Sequence, residues 1–321
     1  MMKKILLCMA LCVPFFVQAQ EKGIAYAQMK LWDKHLRFPK INEIEFKGTE
    51  DPLASYDAIY GHGVMWEGDY VGFRISMDHR QTVGVYGKKR AQLELDRTHF
   101  SNSAEWLENG YGRDILCVGE SVGAGSFRGC RDGQPCFIDT VRARGQRIIN
   151  AGPKAVIVEM WDQDWQINGK KVQMRQSYTL LPGHRDVQVD VYLEGATDKD
   201  RFFTGAQKFE NKTSVKSDKL KTADGQKGLC VATWGSNVPD KNAPELEEAL
   251  GIAVFVPNEF VADAKIKETD TDYLISLHPV KGHIRYHIVA CADMQEEGGW
   301  HKDKEWFSWI WKKLELPKQK K

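Results

Sequence analysis

A dense group of ionisable and aromatic side chains lies between residues 62 and 88. Nine of them can move protons, carry charge or stack on a flat ring: His62, Trp66, Glu67, Arg74, Asp78, His79, Arg80, Tyr86 and Lys88. Acid–base chemistry requires a proton acceptor, a proton donor and a cation that stabilises developing negative charge. Histidine supplies the first two and arginine or lysine the third, so this span is the first candidate site.

Arg74 lies on a predicted strand, Tyr70–Met77, in which alternate side chains share a face. Phe73 then points to one side of the sheet and Arg74 to the other. The planar guanidinium group of arginine binds a carboxylate through two parallel hydrogen bonds, which suits a uronic acid. An ion pair with Glu67 or Asp78 would instead hold neighbouring strands in register, and both interpretations stay open.

Seven cysteines are present, and five of them lie beyond residue 19. Cys130 and Cys136 enclose an Asp-Gly pair and a proline, which favour a tight loop. In an oxidising compartment these two residues are candidates for a disulfide. A zinc site would need a second Cys/His pair at ligand spacing beside them, so we predict no metal. The glycine-rich stretch 119–125 lacks the Gly-Lys-Ser/Thr ending of a phosphate loop, and we predict no cofactor.

Residues 1–19 have the pattern of a cleavable secretory signal peptide. Lys3 and Lys4 precede an apolar stretch, Ile5–Val17, and a small residue, Ala19, marks the cleavage site. We therefore expect a periplasmic or secreted chain that begins at Gln20. Without the two leader lysines, 43 of the 45 basic residues remain beside 44 acidic ones. This balance argues against a nucleic-acid partner, and no later stretch is apolar enough to predict a membrane span.

Most of the remaining sequence predicts β-strands with alternating apolar residues. The clearest runs are 70–77, 82–86, 155–161, 172–180, 186–193, 251–256 and 282–289. Asn168-Gly169 between two of them is the strongest hairpin signal. Strands from 161 to 191 predict an antiparallel meander with one polar face. We interpret His278, His283 and His287 as residues of the last strand of the sheet.

Two helices are predicted, one near each end of the mature chain. From Glu21 to His35, apolar residues three or four apart, Ala25, Met29 and Trp32, predict a short helix. Near the carboxyl end, Asp303 can cap a helix whose apolar stripe would dock on the sheet: Trp306, Trp309, Ile310 and Leu314. The sequence lacks a linker or repeat, so we expect residues 20–321 to form a single domain.

Two blocks resemble a family of exported Bacteroidetes proteins, domain of unknown function 4861. They are Gly63-Val-Met-Trp-Glu-Gly-Asp-Tyr-Val-Gly-Phe-Arg-Ile-Ser-Met-Asp and Gly110-Tyr-Gly-Arg-Asp-Ile-Leu-Cys-Val-Gly-Glu-Ser-Val-Gly-Ala-Gly-Ser-Phe. The resemblance implies a mostly β, antiparallel β-supersandwich like that of galactose mutarotases. It also implies a setting of polysaccharide utilisation, but it transfers no catalytic residues.

We therefore predict a carbohydrate-active enzyme of the lyase or epimerase type, acting on uronate-containing oligosaccharides. The predicted catalytic residues are His62, His79, Glu67 and Lys88. The predicted substrate-binding residues are Arg74, Trp66, Asp78 and Tyr86. A glycoside hydrolase that uses Glu67 and Asp78 is the second enzymatic hypothesis. A non-catalytic glycan-binding protein and a structural partner in a surface complex are the alternatives from other classes.

Overall fold

Three antiparallel sheets contain most of the residues that the computed structural model describes, which are 24–32, 38–48, 56–101, 103–237, 247–296 and 298–316. The six-stranded sheet contains β1 (Ala25–Lys30), β2 (Lys40–Ile41), β4 (Gly63–Gly68), β5 (Val71–Ser76), β6 (Val83–Gly87) and β7 (Arg113–Asp114). The five-stranded sheet contains β8 (Arg128–Arg131), β9 (Gln134–Cys136), β14 (Phe202–Gln207), β18 (Val261–Glu268) and β19 (Asp272–Leu277).

The nine-stranded sheet is the largest element of the fold. Its strands are β3 (Glu43–Lys47), β10 (Ala143–Ala151), β11 (Val156–Ile167), β12 (Lys170–Leu180), β13 (Asp186–Glu194), β15 (Ser214–Lys221), β16 (Lys227–Asn237), β17 (Glu248–Pro257) and β20 (His283–Ala292). They are ordered β15-β16-β17-β20-β13-β12-β11-β10-β3. The predicted mostly β, antiparallel fold is confirmed. The predicted meander is also confirmed, because β11, β12 and β13 pair consecutively.

The hydrophobic core lies between the nine-stranded sheet and the other two sheets. Trp66 of β4 packs on Tyr178 of β12, with ring centroids 5.4 Å apart. Trp165 of β11 packs on Phe202 of β14 at 6.2 Å. Large aromatic side chains bury the most apolar area per residue, so these contacts contribute strongly to the cohesion of the sheets. The inner faces of the three sheets are therefore unavailable to a ligand.

The outer face of the nine-stranded sheet is divided into a covered half and an open half. A carboxyl-terminal helix, α3 (Asp303–Lys313), covers β15 to β17, with Trp306 and Ile310 buried against the sheet. Across β10 to β13 most outward side chains are polar, and many are partly exposed, whereas Glu159 and Asp190 are buried. Strand β12 shows the alternation clearly, since its even-numbered residues from Val172 to Leu180 are buried and its odd-numbered ones are half-buried. The division leaves an accessible polar surface beside the helix.

Of the two predicted helices, the structure contains the carboxyl-terminal one and not the amino-terminal one. The carboxyl-terminal helix is confirmed, although Asp303 is its first residue and accepts a hydrogen bond from Ser214 instead of capping the helix. The predicted amino-terminal helix is wrong, because Ala25–Lys30 form β1 and pair with β4. Residues 25 and 29 share a face in a helix and also in a strand, so their spacing does not distinguish a helix from a strand.

Two short helices follow β6, α1 (Leu95–Thr98) and α2 (Ala104–Glu108), and α1 contacts β1 and β4 of the six-stranded sheet. The predicted hairpin at Asn168-Gly169 is confirmed, since both residues have positive φ and join β11 to β12. The predicted leader, residues 1–19, lies outside the described residues. Among the helices that the structure describes, none is long and apolar enough to cross a bilayer.

Candidate functional site

Glu67 and Lys88, predicted as catalytic residues, form a buried ion pair. Both side chains are fully excluded from solvent. Lys88 Nζ also donates to the carbonyl oxygens of Gly68 and Gln92, at 2.8 and 2.7 Å. The Glu67 carboxylate accepts hydrogen bonds from the backbone N–H groups of residues 94 and 95. Every strong interaction of this pair is made within the protein, so the predicted catalytic role is corrected to a structural one.

Trp66 and Tyr86, predicted to contact the substrate, are buried as well. The Trp66 indole lies in the main core between Phe73 and Tyr178. The Tyr86 ring stacks on Phe100 at 4.0 Å, beneath the segment that contains α1. Burial raises the pKa of Tyr86 far above its usual value, so its hydroxyl stays protonated. Neither ring can support a sugar, and both predictions are corrected.

Asp78 and His79 belong to the turn that follows β5. Asp78 is fully buried and accepts hydrogen bonds from the backbone of Gln81 and from Arg80 Nε, the latter at 2.7 Å. The predicted substrate contact of Asp78 is therefore corrected to a turn-stabilising contact. The His79 ring packs edge-on against Phe137, and its Nδ1 is buried without a hydrogen-bond partner. Burial lowers the pKa of His79, which favours the neutral imidazole.

Arg74 is the predicted residue that remains accessible to a small ligand. As predicted, Phe73 and Ile75 enter the core and Arg74 points away from it. The Arg74 Nη2 atom lies 3.1 Å from Asp114 Oδ2, and the side chain lines a cavity of about 230 Å³. His62 stacks on Tyr56, which lines the same cavity, and burial lowers the pKa of His62. The predicted roles of Arg74 and His62 stay predictions.

The predicted disulfide between Cys130 and Cys136 is not formed, and both thiols are free. In the β8–β9 hairpin Cys130 pairs with Pro135, and Cys136 pairs with Gly129. Because neighbouring residues of a strand point to opposite faces, the two thiols lie on opposite sides of the hairpin. The tight turn is present as predicted, but its register separates the sulfur atoms.

The stretch 119–123 has the spacing Gly-x-Ser-x-Gly of a hydrolase nucleophile, which motif reasoning missed. The Ser121 hydroxyl group is buried and bonds to the Val118 carbonyl oxygen and to Gln207, each at 2.8 Å. A nucleophile elbow needs a strand before the serine and a helix after it, with a histidine beside the hydroxyl. Here the described neighbours are β7 and β8, so Ser121 is a structural residue.

The open half of the nine-stranded sheet carries a second group of chemically active side chains. Six strands contribute one residue each to a single row across it: Glu45, Gly145, Trp161, Arg175, Tyr192 and His283. The adjacent row contains Glu43, Arg147, Glu159, Ser177, Asp190 and Arg285. We call these two rows the polar face. It presents three arginines, four carboxylates, a histidine and two aromatic rings to one side of the sheet.

His283 and Asp190 form the acid–base pair of the polar face. The His283 Nε2 atom donates to Asp190 Oδ1 at 2.6 Å, and Arg285 Nε donates to the same oxygen. Burial opposes ionisation of Asp190, but the hydrogen bonds from His283 and Arg285 outweigh it, so the pKa of Asp190 is lowered. His283 Nδ1 bonds to no other described residue. A carboxylate thus orients one ring nitrogen while the other is available to accept a proton.

Glu159 holds two arginines in place beside this pair. Its carboxylate binds Arg147 Nη2 at 2.6 Å and Arg175 Nη1 at 2.5 Å. The side chains of Arg147 and Arg175 are 38% and 40% exposed. Each guanidinium group has five N–H donors and uses only part of them on Glu159. The remaining donors can therefore bind an anionic group above the sheet.

Two aromatic rings lie on the polar face at different distances from the histidine. Tyr192, which is 38% exposed, stacks on His283 with centroids 5.0 Å apart and has the Arg175 guanidinium 4.2 Å from its ring. The Trp161 indole packs on Gly145, which has no side chain to displace it. A Cβ atom at residue 145 would be only 2.0 Å from the indole. Trp161 Nε1 donates to Glu45 at 3.1 Å, which fixes the ring. Flat aromatic surfaces of this kind can stack on sugar rings.

Sequence reasoning missed most of the polar face although it predicted the meander. The polar alternation in β11, β12 and β13 was the available signal. The acid–base pair, however, joins Asp190 to His283, which is 93 residues away, so no local pattern could reveal it. Interpreting His283 as a sheet residue was right for its position but overlooked which face it occupies.

The family model for a domain of unknown function, DUF4861, matches residues 17–317. The chain belongs to this family. Membership confirms the resemblance found in the two sequence blocks. No curated protein sequence matches the chain.

Two solved structures match this DUF4861 member at low sequence identity. A predicted kojibiose phosphorylase from the human microbiome is 11% identical, with a TM-score of 0.43. The match covers 84% of this chain and only 34% of that protein, so the DUF4861 chain spans about a third of its length. A predicted aldose 1-epimerase from Klebsiella pneumoniae subsp. pneumoniae MGH 78578 is 10% identical, with a TM-score of 0.36, over 85% of this chain and 92% of the other.

Proposed function

We propose that the protein is a carbohydrate-active enzyme that binds acidic oligosaccharides on its polar face and acts on them by proton transfer. The observation that supports this most strongly is the contact between His283 and Asp190, placed beside arginines that Glu159 holds. A proton acceptor, a carboxylate that orients it and cations for an anionic substrate thus share one accessible surface. The site differs from the residues 62–88 that the sequence predicted.

The polar face suits a sugar acid in its open shape and in its two half-exposed arginines. Trp161 offers a flat apolar surface for the C–H face of a sugar ring, whereas the Tyr192 ring already packs against His283 and Arg175. Arg147 and Arg175 offer planar N–H donors that match a carboxylate better than a lysine would. The face is open, so a chain of several sugars can lie across the strands. A uronate-containing oligosaccharide satisfies each of these features.

The chemistry begins with removal of the proton on the carbon next to the sugar carboxylate. In our proposal His283 Nδ1 accepts that proton, while the arginines stabilise the negative charge that spreads onto the carboxylate. In a lyase, the electron pair then forms a carbon–carbon double bond, the bond to the neighbouring glycosidic oxygen breaks, and that oxygen takes up the proton from His283. In an epimerase, water supplies a proton to the opposite side of the same carbon, and His283 releases its proton to the solvent. Both reactions need the same acceptor and the same cations.

We also propose that the enzyme works outside the cytoplasm. The support is the leader pattern of residues 1–19, with two lysines before an apolar stretch and a small residue at the cleavage site. An exported enzyme meets glycans before they are taken up, which agrees with this substrate class. Fractionation of expressing cells tests the proposal, because an uncleaved protein found only in the cytoplasm would contradict it.

The experiment that tests the proposed reaction uses the purified mature protein and a panel of uronate oligosaccharides. A lyase would generate the ultraviolet absorbance of unsaturated uronates, and an epimerase would exchange a carbon-bound proton for deuterium in heavy water. We expect His283→Gln to reduce either signal by about 100-fold or more. The matched control is His301→Gln, since His301 also contacts an aspartate, Asp293, but lies elsewhere. Binding without either signal across the panel would overturn the enzymatic proposal in favour of a glycan-binding protein.

A further inference from the structure

A separate cavity opens on the opposite side of the molecule from the polar face. It lies on the outer face of the six-stranded sheet, whereas the polar face is on the outer face of the nine-stranded sheet, with the core between them. Its volume is about 230 Å³. Its lining residues are Tyr56, Arg74, Ser76, Arg80, Thr82, Asp114 and residues 116–119. We call it the arginine cavity.

The arginine cavity favours an anion. Arg74 and Arg80 line it together with a single acidic side chain, Asp114. Arg80 is held by Asp78, a carboxylate that is fully buried behind it, and Arg74 donates a hydrogen bond to Asp114. Their side chains are still 27% and 24% exposed. Both guanidinium groups therefore retain N–H donors for a further partner, although Asp78 and Asp114 balance their charges.

Hydroxyl groups add polar contacts beside the arginines. Ser76 Oγ and Thr82 Oγ1 lie 2.8 Å apart, and each can still bond to a ligand atom. The phenol of Tyr56 belongs to the same lining, and its ring is held between the stacked His62 ring and the Arg80 guanidinium. The volume is below the roughly 300–1,000 Å³ of pockets for drug-sized ligands, which suits a ligand the size of one sugar. Several hydroxyl partners match a sugar better than a bare ion.

We propose that the arginine cavity is a second binding site, which holds one sugar acid through its carboxylate. The carboxylate bonds to Arg74 and Arg80, and the hydroxyl groups of the ring bond to Ser76, Thr82 and Tyr56. The site is separate from the polar face and does not depend on the reaction proposed there. A molecule with both sites can bind a released monosaccharide on one side while an oligosaccharide occupies the other.

Calorimetric titration of the folded protein tests the proposal with a matched pair of sugars. Galacturonate and galactose differ only in the carboxylate, so we expect galacturonate to bind at least about tenfold more tightly. The variants Arg74→Gln and Arg80→Gln should each weaken galacturonate binding by about tenfold or more. Arg90→Gln is the matched control, because Arg90 is an exposed arginine in an ion pair with Glu296, outside the cavity. Equal binding of the two sugars, or unchanged binding in both variants, would overturn the proposal.

Cys117 provides a readout that is specific to this cavity. It is an exposed cysteine that lines the cavity. Saturating galacturonate should slow the alkylation of Cys117 by iodoacetamide severalfold, as followed by mass spectrometry of the Cys117 peptide. Inorganic phosphate serves as the second probe, and protection by phosphate equal to that by galacturonate would overturn the assignment to a sugar acid. Unchanged alkylation despite measured binding would place galacturonate elsewhere, for example on the polar face, and would overturn the assignment to this cavity.

Discussion

His283 Nε2 lies 2.6 Å from Asp190 Oδ1, and the two residues come from neighbouring strands of the nine-stranded sheet. The strands hold the imidazole and the carboxylate at a fixed distance. The His283 ring is therefore already oriented to accept a proton from the substrate. The pair also lies on the only part of this sheet's outer face, among the described residues, that combines a histidine with half-exposed arginines. The first prediction follows from this contact.

Replacing Asp190 by Asn should impair the reaction more than it impairs folding. The amide keeps the shape of the side chain but no longer stabilises the charged imidazole, and the correct ring orientation is lost. We expect the initial rate to fall by about 100-fold or more. Asp293→Asn, which removes the partner of His301, is the control and should leave the rate unchanged. Rates measured over a pH series would contradict the prediction if the Asp190→Asn variant matched the wild type.

Replacing Lys88 by Ala should destabilise the fold strongly. It leaves the buried Glu67 carboxylate without its cation, a loss that typically costs about 3–5 kcal/mol. Arg90→Ala breaks an exposed ion pair and should cost about 1 kcal/mol or less. Urea unfolding of both variants measures the difference. A Lys88→Ala protein that unfolds like the wild type but has lost activity would restore the catalytic role that the sequence predicted.

Replacing Gly145 by Ala should displace the Trp161 indole. The added Cβ atom would lie 2.0 Å from the ring, so the side chain must leave its position on the sheet. We expect a cost of about 1–3 kcal/mol and weaker oligosaccharide binding. Gly84→Ala is the strand control, since its Cβ atom meets only Arg74 at 3.6 Å. Thermal melting and tryptophan fluorescence during titration report both effects, and an unchanged fluorescence response would count against stacking on Trp161.

The contact between His184 and Asp186 should make stability depend on pH. The hydrogen bond to Asp186 raises the pKa of His184, despite the opposing effect of burial. This contribution is fully present below the unfolded pKa of about 6.5 and is lost as the pH rises through the higher folded pKa. The free energy of unfolding of His184→Gln should therefore differ most from the wild type near pH ~5.5 and converge with it at higher pH. A difference that grows with pH in urea unfolding would refute the assignment.

The fold could be predicted where one face of a strand is buried. Strand β12 alternates cleanly and was predicted within two residues of its bounds, whereas the edge strand β15, mostly exposed, lacks the alternation and was missed. The amino-terminal strand was mistaken for a helix because Ala25 and Met29 fit both periods. Local pattern cannot resolve such a case without the pairing partner.

The candidate site was harder to predict because side-chain type does not reveal burial. Trp66 and Tyr86 looked suited to a ligand, but Trp66 faces the core and Tyr86 lies beneath Phe100. Lys88 and Glu67 looked suited to catalysis, but each completes the other's hydrogen bonding. Asp190 and His283 meet only after strands far apart in the chain pair, so their proximity depends on sheet order, which the sequence did not supply.

The row from Glu45 to His283 also has a defined length. It crosses six strands, and neighbouring strands lie about 4.8 Å apart, so the row extends for about 24 Å. A saccharide that lies along it reaches Trp161 and His283 together only when it spans four strands. Affinity should thus rise with each added sugar until the chain fills the row and then level off, so that the width of a sheet sets the length of the preferred ligand.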